Sequence, residues 1–226
     1  VFSAEDHLNT IVLLAAYLSG SRAKISCSSR VTPFDTYSNR MFSKRWILKQ
    51  CSKVVMARAD VLTCVSQDMV KQYKTVFPRA SHLCVYNIVR DEGFVLRMQE
   101  AVDHSWLLIK DIPVVVAAGR LAPWKGFTDL IDAISIVCEY RPVRLLILGD
   151  GPSRNDLSQR IEVLGLQEFV QLHGYVKNPL KYFANADVFA LTSIVEGLPN
   201  VLVEAMMCGC TPVATDCPTG PREVLH

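Results

Sequence analysis

Two patterns of apolar residues alternate along the second half of the chain, and they predict alternating strands and helices. Continuous apolar runs with branched side chains, such as PVVVAAG (113–119), are typical of strands buried on both faces. Apolar residues at helical spacing, as in FTDLIDAISIVCEY (127–140), predict helices that cover such a sheet. The predicted strands are 113–119, 144–151, 169–174, 187–193 and 211–216, and the predicted helices are 127–140, 154–165, 179–186 and 200–209. Repeated β–α–β units with short loops predict an α/β fold with a parallel sheet.

The first half of the chain shows the same alternation less regularly. Strands are predicted at 23–29, 60–66 and 82–87, and helices at 40–59 and 67–76. The stretch that follows is more polar and interrupts the pattern, which predicts a domain junction between Asn87 and Asp111. The chain is therefore divided into a first domain at 1–87, a linker at 88–111 and a second domain at 112–226.

Ligands of parallel sheets bind where the strands end at their carboxyl edge, so the loops at that edge are the candidate binding loops. One of them carries EGLPNVLVE (196–204), which leads into the last predicted helix. Pro199 suits a helix start because its missing N–H is no loss there. The N–H groups of Asn200, Val201 and Leu202 are expected to be unpaired and to carry the positive end of the helix dipole, which favours a phosphate.

Two glutamates flank that helix start. Glu196 lies in the loop, and Glu204 lies just over one turn into the helix. A carboxylate accepts two hydrogen bonds, which matches a vicinal diol such as that of a ribose or a hexose. The alternative is that Glu196 is a loop anion near a helix start and Glu204 a solvated helix residue, and their spacing alone leaves both interpretations open.

A second edge loop, GRLAPWKGF (119–127), holds two cations. Arg120 directly follows a buried strand, and Lys125 precedes a helix. Two fixed cations at a strand end suit a diphosphate, and the alternative is that both are ordinary surface cations. Gly119 and Gly126 on either side allow close backbone approach.

A third edge loop, LGDGP (148–152), contains half of a dinucleotide-binding fingerprint. Gly149, Asp150 and Gly151 fit it, but Arg154 stands where the third glycine would be. The loop therefore predicts a tight turn at a strand edge and gives little support to a dehydrogenase.

The charge of the chain is unevenly distributed, although its net value is only +2. The segment 22–58 contains nine basic residues and one acidic residue. Arg45, Lys49 and Lys53 follow one another at steps of four along one face of the predicted helix, which suits an anionic membrane surface or an anionic acceptor. The alternative is a solvated helix face over a core stripe. Aromatic residues are not interleaved for base stacking, which disfavours nucleic acid as a partner.

The cysteines, the histidines and the lengths of the apolar runs indicate the cellular compartment and limit the kinds of site that are expected. The eight cysteines are scattered among apolar runs and form no metal-type spacing with the five histidines, so free thiols in a reducing compartment are expected. No apolar run reaches the length of about 18 residues that a transmembrane helix needs, and no signal peptide is visible. The chain begins with Val1, so we expect it to be part of a longer protein.

Four stretches together resemble the retaining GT-B glycosyltransferases of the family-4 type. They are AAGRLAPWKGF, LILGDGP, FVQLHGYV and EGLPNVLVEAMMCGCTPVATDCPTGPREVL. The resemblance is dense from about 113 to 226, and it is thinner from about 59 to 87. It is nearest to bacterial enzymes that add amino sugars or hexoses to lipid-linked or polysaccharide precursors. It implies a GT-B fold of two Rossmann-like domains with parallel sheets. In this chain the acceptor-side domain is then incomplete at its start, and the donor-binding domain stops before its end.

The resemblance also implies a role for each matching residue. Arg120 and Lys125 hold the donor diphosphate, Glu204 binds the ribose, Glu196 contacts the donor hexose and Val176 lies by the base. The remaining donor-binding residues that the resemblance implies are Gly119, Gly149, Asp150, Gly151, Gly197, Leu198, Pro199, Asn200 and Val201. Because the cations neutralise the diphosphate, the implied reaction needs neither a metal nor another cofactor.

The expected activity is the transfer, with retention, of a hexose or N-acetylhexosamine from a UDP-sugar to a hydroxyl of a glycan or lipid-linked saccharide. The expected location is the cytoplasm, with the basic segment 40–58 as a candidate contact to the cytoplasmic face of the membrane. The alternatives are a nucleotide-sugar-binding protein without catalysis, a GT-B sugar-nucleotide epimerase and a phosphorylase, although the lysine context that pyridoxal phosphate requires in a phosphorylase is absent.

Overall fold

A computed structural model describes all 226 residues, and they form two compact units, each with its own sheet. The first unit comprises Val1–Asn87, Glu196–Leu198 and Pro218–His226, and the second comprises Ile88–Val195 and Pro199–Cys217. The strands are β1 (Phe2–Ala4), β2 (Ser26–Ser29), β3 (Val61–Cys64), β4 (His82–Cys84), β5 (Val114–Ala118), β6 (Arg144–Leu148), β7 (Val170–Gly174), β8 (Val188–Leu191) and β9 (Thr211–Ala214). The helices are α1 (Asp6–Leu18), α2 (Pro33–Thr36), α3 (Lys44–Val55), α4 (Gln67–Val76), α5 (Phe94–Met98), α6 (Ser105–Ile109), α7 (Phe127–Tyr140), α8 (Arg154–Val163), α9 (Leu180–Phe183), α10 (Asn200–Met207) and α11 (Pro221–Leu225).

The first unit has four parallel strands in the order β1-β2-β3-β4. Its three predicted strands and two predicted helices are confirmed, and α4 has the predicted bounds. The first predicted helix is shorter than expected and begins at Lys44, because the Ser43 hydroxyl accepts a hydrogen bond from the Trp46 N–H and caps it. A 3-10 turn at Met56–Arg58 follows its end.

Helix α1 was not predicted because most of its buried residues are polar, with Leu13 as the buried apolar one. Asp6, Asn9 and Thr10 are buried. The Asp6 carboxylate accepts a hydrogen bond from the Tyr73 hydroxyl at 2.6 Å, and the Asn9 amide donates to the Ser28 carbonyl at 3.0 Å. The apolar residues Leu8, Ile11, Leu14 and Leu18 are exposed instead. The apolar periodicity that usually identifies a core helix therefore points away from this core.

The second unit has five parallel strands in the order β7-β6-β5-β8-β9. All of its predicted strands and helices are confirmed, and α7 has the predicted bounds. The chain first winds outward from β5 to β7 and then returns to the other side of β5 with β8. The strand order reverses between β5 and β8, so the crevice at their carboxyl ends is the expected ligand position.

The segment predicted to be a linker is folded and belongs to the second unit. It contains α5 and α6, with Phe94 and Leu107 buried. At its end, the Asp111 carboxylate forms an ion pair with Arg144 at the start of β6. Two apolar anchors in a polar stretch were too few to be recognised as helices from the pattern. None of the helices in the structure has the length and apolar character that crossing a membrane requires.

Gly126 lets the loop after β5 pack against the end of β8. A Cβ built on Gly126 would lie 2.0 Å from the Thr192 carbonyl oxygen. Around it, the Ile194 N–H donates to the Trp124 carbonyl at 2.9 Å, and the Thr192 hydroxyl donates to the Lys125 carbonyl at 3.1 Å. Backbone contacts of this kind leave no room for a side chain and fix the loop that carries Lys125.

Replacing Gly126 tests this packing, and Gly165 offers a matched control. Both have a left-handed backbone, with φ of 65° and 66°, but nothing lies within 4 Å of a Cβ on Gly165. We expect Gly165→Ala to lower the free energy of unfolding by about 1 kcal/mol through backbone strain alone. Gly126→Ala should lower it by about 1–3 kcal/mol more, because the loop must move. Urea unfolding measures the difference, and equal losses would contradict the close packing.

Candidate active site

A pocket of about 360 Å³ lies at the carboxyl edge of the second unit's sheet. Residues that end or follow β5, β6 and β7 form one part of it, and residues from α9 and α10 form the rest. The lining residues are Ala118, Gly119, Arg120, Leu148, Gly149, Asp150, Tyr175, Val176, Pro179, Phe183, Val201 and Glu204. Seven of the fourteen predicted site residues, Gly119, Arg120, Gly149, Asp150, Val176, Val201 and Glu204, are therefore together in one pocket.

The loops after β5 and β6 form one rigid rim of this pocket. The Gly119 N–H donates to the Leu148 carbonyl at 2.9 Å, and the Leu121 N–H donates to the Asp150 carbonyl at 2.9 Å. A Cβ on Gly149 would lie 1.9 Å from the Gly119 carbonyl oxygen, and one on Gly151 would lie 2.4 Å from the Leu121 carbonyl oxygen. The two glycines of the LGDGP stretch are thus required by the packing of one loop on the other. Gly151 lies outside the pocket lining.

The two predicted cations have different positions. Arg120 is exposed, lines the pocket, and has no ion pair or hydrogen bond. Lys125 is half-buried, and its aliphatic stem lies against Gly119, with its Cε 3.6 Å from a Cβ built there. The guanidinium of Arg120 is therefore available to an anion in the pocket.

Glu204 projects from α10 into the pocket lining and is half-buried. Burial raises the pKa of its carboxyl, and the charge of Arg97 acts in the opposite direction. A carboxylate that has lost part of its hydration has unused capacity to accept hydrogen bonds. The arrangement suits a ligand that offers two adjacent hydroxyl donors.

The start of α10 differs from the prediction at one amide. The Leu202 N–H donates to the Pro199 carbonyl at 3.0 Å, so the prediction that this amide is unpaired is wrong. The cause is that Pro199 is the N-cap and its carbonyl accepts the bond that closes a tight first turn. The Val201 N–H has no acceptor, and Val201 lines the pocket. Asn200 is exposed as the first residue of the helix.

Three predicted site residues, Glu196, Gly197 and Leu198, belong to the first unit. A Cβ on Gly197 would lie 2.2 Å from the Arg30 carbonyl oxygen, and Leu198 packs against the first unit's core. The Glu196 carbonyl accepts a hydrogen bond from the Thr219 hydroxyl. The EGLPNVLVE stretch is therefore divided between the two units, and the pocket described above contains only its second part.

Five lining residues, Ala118, Leu148, Tyr175, Pro179 and Phe183, were not predicted as site residues. Tyr175 is 80% exposed, and Phe183 is buried on α9. The position of Tyr175 directly before Val176 was the available signal. Phe183 gave none, because an apolar residue on a predicted helix is first interpreted as core.

His173 belongs to a chain of hydrogen bonds beside the pocket. The Tyr182 hydroxyl donates to the Asp103 carboxylate at 2.8 Å. The contact of 3.1 Å between His173 Nε2 and the same hydroxyl is therefore donated by the histidine. Burial, followed by the proximity of His104, lowers the pKa of His173. The ring of His173 also packs against those of His104 and Tyr182. No group of three or more His, Cys, Asp or Glu side chains in the structure is arranged to hold a metal ion.

The raised pKa of Glu204 makes a prediction for the pH dependence of stability. Between its pKa in the unfolded chain and its higher pKa in the folded protein, the folded state binds more protons. Stability is therefore lost as the pH rises through this window. Glu204→Gln should raise the free energy of unfolding at pH 7 and change it little at pH 4. Urea unfolding at both pH values checks this, with Glu162→Gln on the exposed face of α8 as the control. A gain of the same size in both variants would contradict the assignment to burial of Glu204.

Comparison with known proteins gives two relatives whose names describe them as sugar transferases. The glycosyltransferase MJ1059 of Methanocaldococcus jannaschii, which is uncharacterized, is 32% identical over 219 residues, and the match covers 95% of this chain and 53% of that protein. The N-acetylgalactosamine-N,N'-diacetylbacillosaminyl-diphospho-undecaprenol 4-alpha-N-acetylgalactosaminyltransferase of Campylobacter jejuni is 29% identical over 218 residues, with coverage of 95% and 57%. The chain thus spans little more than half the length of these two relatives.

Structural comparison and the family match agree. The crystal structure of Anabaena HepE in complex with UDP and glucose matches with a TM-score of 0.74 and 24% identity, over 98% of this chain and 60% of that one. This likeness confirms the expected α/β, GT-B fold with parallel sheets. The family described as Glycosyl transferases group 1 matches residues 98–226, which is more than half of the chain. The protein therefore belongs to the Glycosyl transferases group 1 family.

Proposed function

We propose that the protein transfers a hexose or N-acetylhexosamine from a UDP-sugar to a hydroxyl of a glycan or lipid-linked saccharide, with retention of configuration. One observation carries the proposal: the unpaired guanidinium of Arg120 and the half-buried carboxylate of Glu204 line the same pocket at the switch point of the sheet. A nucleoside diphosphate offers an anion to the first and a ribose diol to the second. Family membership supports transfer chemistry at this pocket.

Arg120 has the main role in this proposal. Loss of the nucleoside diphosphate develops negative charge on the leaving phosphate, and fixed cations or N–H groups that face this charge lower the barrier. Arg120 supplies a planar, permanently charged donor, and Lys125 adds a second cation from the loop that Gly126 fixes. The unpaired Val201 N–H adds the positive end of the α10 dipole. These three groups take the role that a divalent metal has in other transferases, so we propose a metal-independent reaction without a cofactor.

The rest of the donor is assigned by shape and by resemblance. Glu204 accepts hydrogen bonds from the ribose hydroxyls, and Val176 lies by the base. Gly119, Gly149 and Asp150 form the rim of the pocket. UDP is the proposed nucleotide because HepE was crystallised with UDP and glucose. Gly151, Pro199 and Asn200 act through backbone geometry. Contact of Glu196 with the hexose, and of the Gly197 and Leu198 backbone with the donor, stays a prediction from the resemblance.

The acceptor supplies the attacking hydroxyl in the proposed reaction. The Campylobacter jejuni relative is described by its name as acting on a saccharide linked to diphospho-undecaprenol. A glycan or a lipid-linked saccharide is therefore the proposed acceptor class. An epimerase would release sugar without an acceptor, and a binding protein would form no product, so analysis of the products separates the three alternatives.

Donor binding provides the first test. Calorimetric titration in EDTA with UDP, UDP-N-acetylglucosamine, UDP-N-acetylgalactosamine, GDP-mannose and NAD should show binding of UDP and of one UDP-sugar. Arg120→Ala should weaken it by roughly thirtyfold to a hundredfold, as expected for loss of a charged hydrogen bond to phosphate. Arg141→Ala is the matched control, because Arg141 is exposed in the same unit and lies outside the pocket. Unchanged donor affinity and turnover in Arg120→Ala would refute the assignment, and binding of NAD alone would indicate a dehydrogenase.

The contribution of Glu204 to ribose binding can be distinguished from a general disruption of the site by changing both the protein and the ligand. We expect Glu204→Ala to weaken UDP binding by roughly tenfold or more, because the diol loses its acceptor. Removing both ribose hydroxyls, as in 2′,3′-dideoxy-UDP, should weaken binding to the natural protein by a similar factor. The variant should then bind UDP and the dideoxy compound equally well. Losses that add together would show that Glu204 does not contact the ribose.

A further inference from the structure

Trp124 is the most exposed of the three tryptophans, and the proposed reaction does not yet give it a role. Trp46 and Trp106 are half-buried, and their rings contact those of Phe42 and His104 respectively. Trp124 is 47% exposed, its ring contacts no other ring or cation, and its indole N–H has no hydrogen-bond acceptor. A single exposed apolar side chain is ordinary, so the surroundings of Trp124 decide what its exposure means.

The backbone of Trp124 is fixed at the switch point of the second sheet. Trp124 is the middle residue of a 3-10 turn, Pro123–Lys125, in the loop that follows β5. Its carbonyl accepts a hydrogen bond of 2.9 Å from the Ile194 N–H, in the loop that follows β8. Gly126, directly after the turn, packs against the Thr192 carbonyl. Because the strand order reverses between β5 and β8, Trp124 lies at the crevice where ligands of such sheets bind.

Two exposed apolar side chains therefore lie on the two loops that border this crevice. Ile194 is 61% exposed, and its backbone is bonded to that of Trp124. Two side chains are too few for a stable protein partner, which requires roughly 800 Å² on each side. A sugar ring matches the pair in size and in chemistry. The C–H groups on one face of the ring pack against an indole, and a hydroxyl at its edge accepts a hydrogen bond from the indole N–H.

The position of Trp124 indicates which of the two sugars it meets. Trp124 lies outside the lining of the donor pocket, which contains Arg120 and Glu204. The next residue, Lys125, is one of the two cations assigned to the donor diphosphate. Trp124 is thus beside the group that leaves, but on the outer side of the pocket that holds the nucleotide. The sugar that approaches the diphosphate from outside this pocket is the acceptor.

We propose that Trp124, with Ile194 beside it, binds a sugar ring of the acceptor by packing against its C–H face. This inference rests on the proposed function, and it assigns an acceptor contact to the second unit. The turn is already ordered, so Trp124 can orient the acceptor with little loss of conformational entropy. Trp124 positions the acceptor and does not stabilise the leaving diphosphate.

Titration with simple glycosides tests this contact. The probes are the methyl α- and β-glycosides of glucose, galactose, N-acetylglucosamine and N-acetylgalactosamine, with UDP at saturation. We expect at least one of them to bind with a dissociation constant of roughly millimolar size. Its binding should shift the tryptophan emission to shorter wavelengths, because a sugar ring that covers the indole removes water from it. Trp124→Phe should abolish this shift and keep most of the affinity, measured by saturation-transfer NMR.

Three further variants separate acceptor binding from other effects. Trp124→Ala should weaken glycoside binding by roughly tenfold, as expected for loss of a stacked aromatic ring, and Ile194→Ala should weaken it less. Both should leave the affinities for UDP and for the UDP-sugar unchanged by calorimetry. Tyr140→Ala is the matched control, because Tyr140 is 82% exposed on α7 in the same unit and lies outside the donor pocket. It should leave glycoside binding unchanged.

Four outcomes would overturn the proposal. Weaker binding of the UDP-sugar to Trp124→Ala, with unchanged affinity for UDP, would show that the indole contacts the donor sugar. Binding of octyl glycosides but of no methyl glycoside would show that the two apolar side chains meet a lipid chain. A glycoside that binds the natural protein without an emission shift would lie away from Trp124. Equal weakening in Trp124→Ala and Tyr140→Ala would indicate that exposed aromatic rings bind the glycoside without specificity.

Failure of this inference can be distinguished from failure of the proposed function. If the natural protein binds UDP but no methyl glycoside up to about 100 mM, the role of Trp124 is refuted and the transfer proposal stands. If the natural protein does not bind UDP at all, the proposed function is contradicted, and this inference with it.

Discussion

Direct contact of backbone on backbone at the carboxyl edge of the second sheet is the constraint on which the pocket depends. A Cβ built on Gly149 would lie 1.9 Å from the Gly119 carbonyl oxygen. A Cβ built on Gly126 would lie 2.0 Å from the Thr192 carbonyl oxygen. The loop that carries Arg120 and Lys125 is thereby fixed to the ends of both β6 and β8. A cation on a loop that is already ordered loses less conformational entropy when it meets an anion. The packing of these loops and their ability to bind a diphosphate therefore have a common cause.

The fold was predictable where each element follows one periodicity. Helix α7 and strand β5 are apolar at positions that match their geometry, and both were identified from the sequence. Helix α1 was missed because a buried polar network occupies most of its core-facing side, beside Leu13. Burial raises the pKa of Asp6, while hydrogen bonds from Ser29 and Tyr73 oppose this. Partners that lie 23 and 67 residues away cannot be recognised from a local pattern.

The sequence predicted which strand ends form the candidate site, but it predicted less about the role of each residue in the loops there. The position of a loop follows from strand order, which is why seven predicted residues line one pocket. The reason why a position requires glycine does not follow from strand order. Close approach to a ligand and close approach to another loop both require a residue without a side chain. Gly149 and Gly151 are needed for the close approach of one loop to another. The division of EGLPNVLVE between two units likewise depends on contacts of Gly197 with Arg30, which no spacing rule contains.

Glu204 connects the stability of the second unit with the binding of a ligand. Burial without a full set of hydrogen-bond donors disfavours its charged form, so the folded protein is less stable at neutral pH than the same fold with a neutral side chain. A diol that donates hydrogen bonds to this carboxylate replaces those that burial removed, and it therefore favours the charged form. Ligand affinity must then rise with pH through the window in which stability falls, because both changes reflect the same proton.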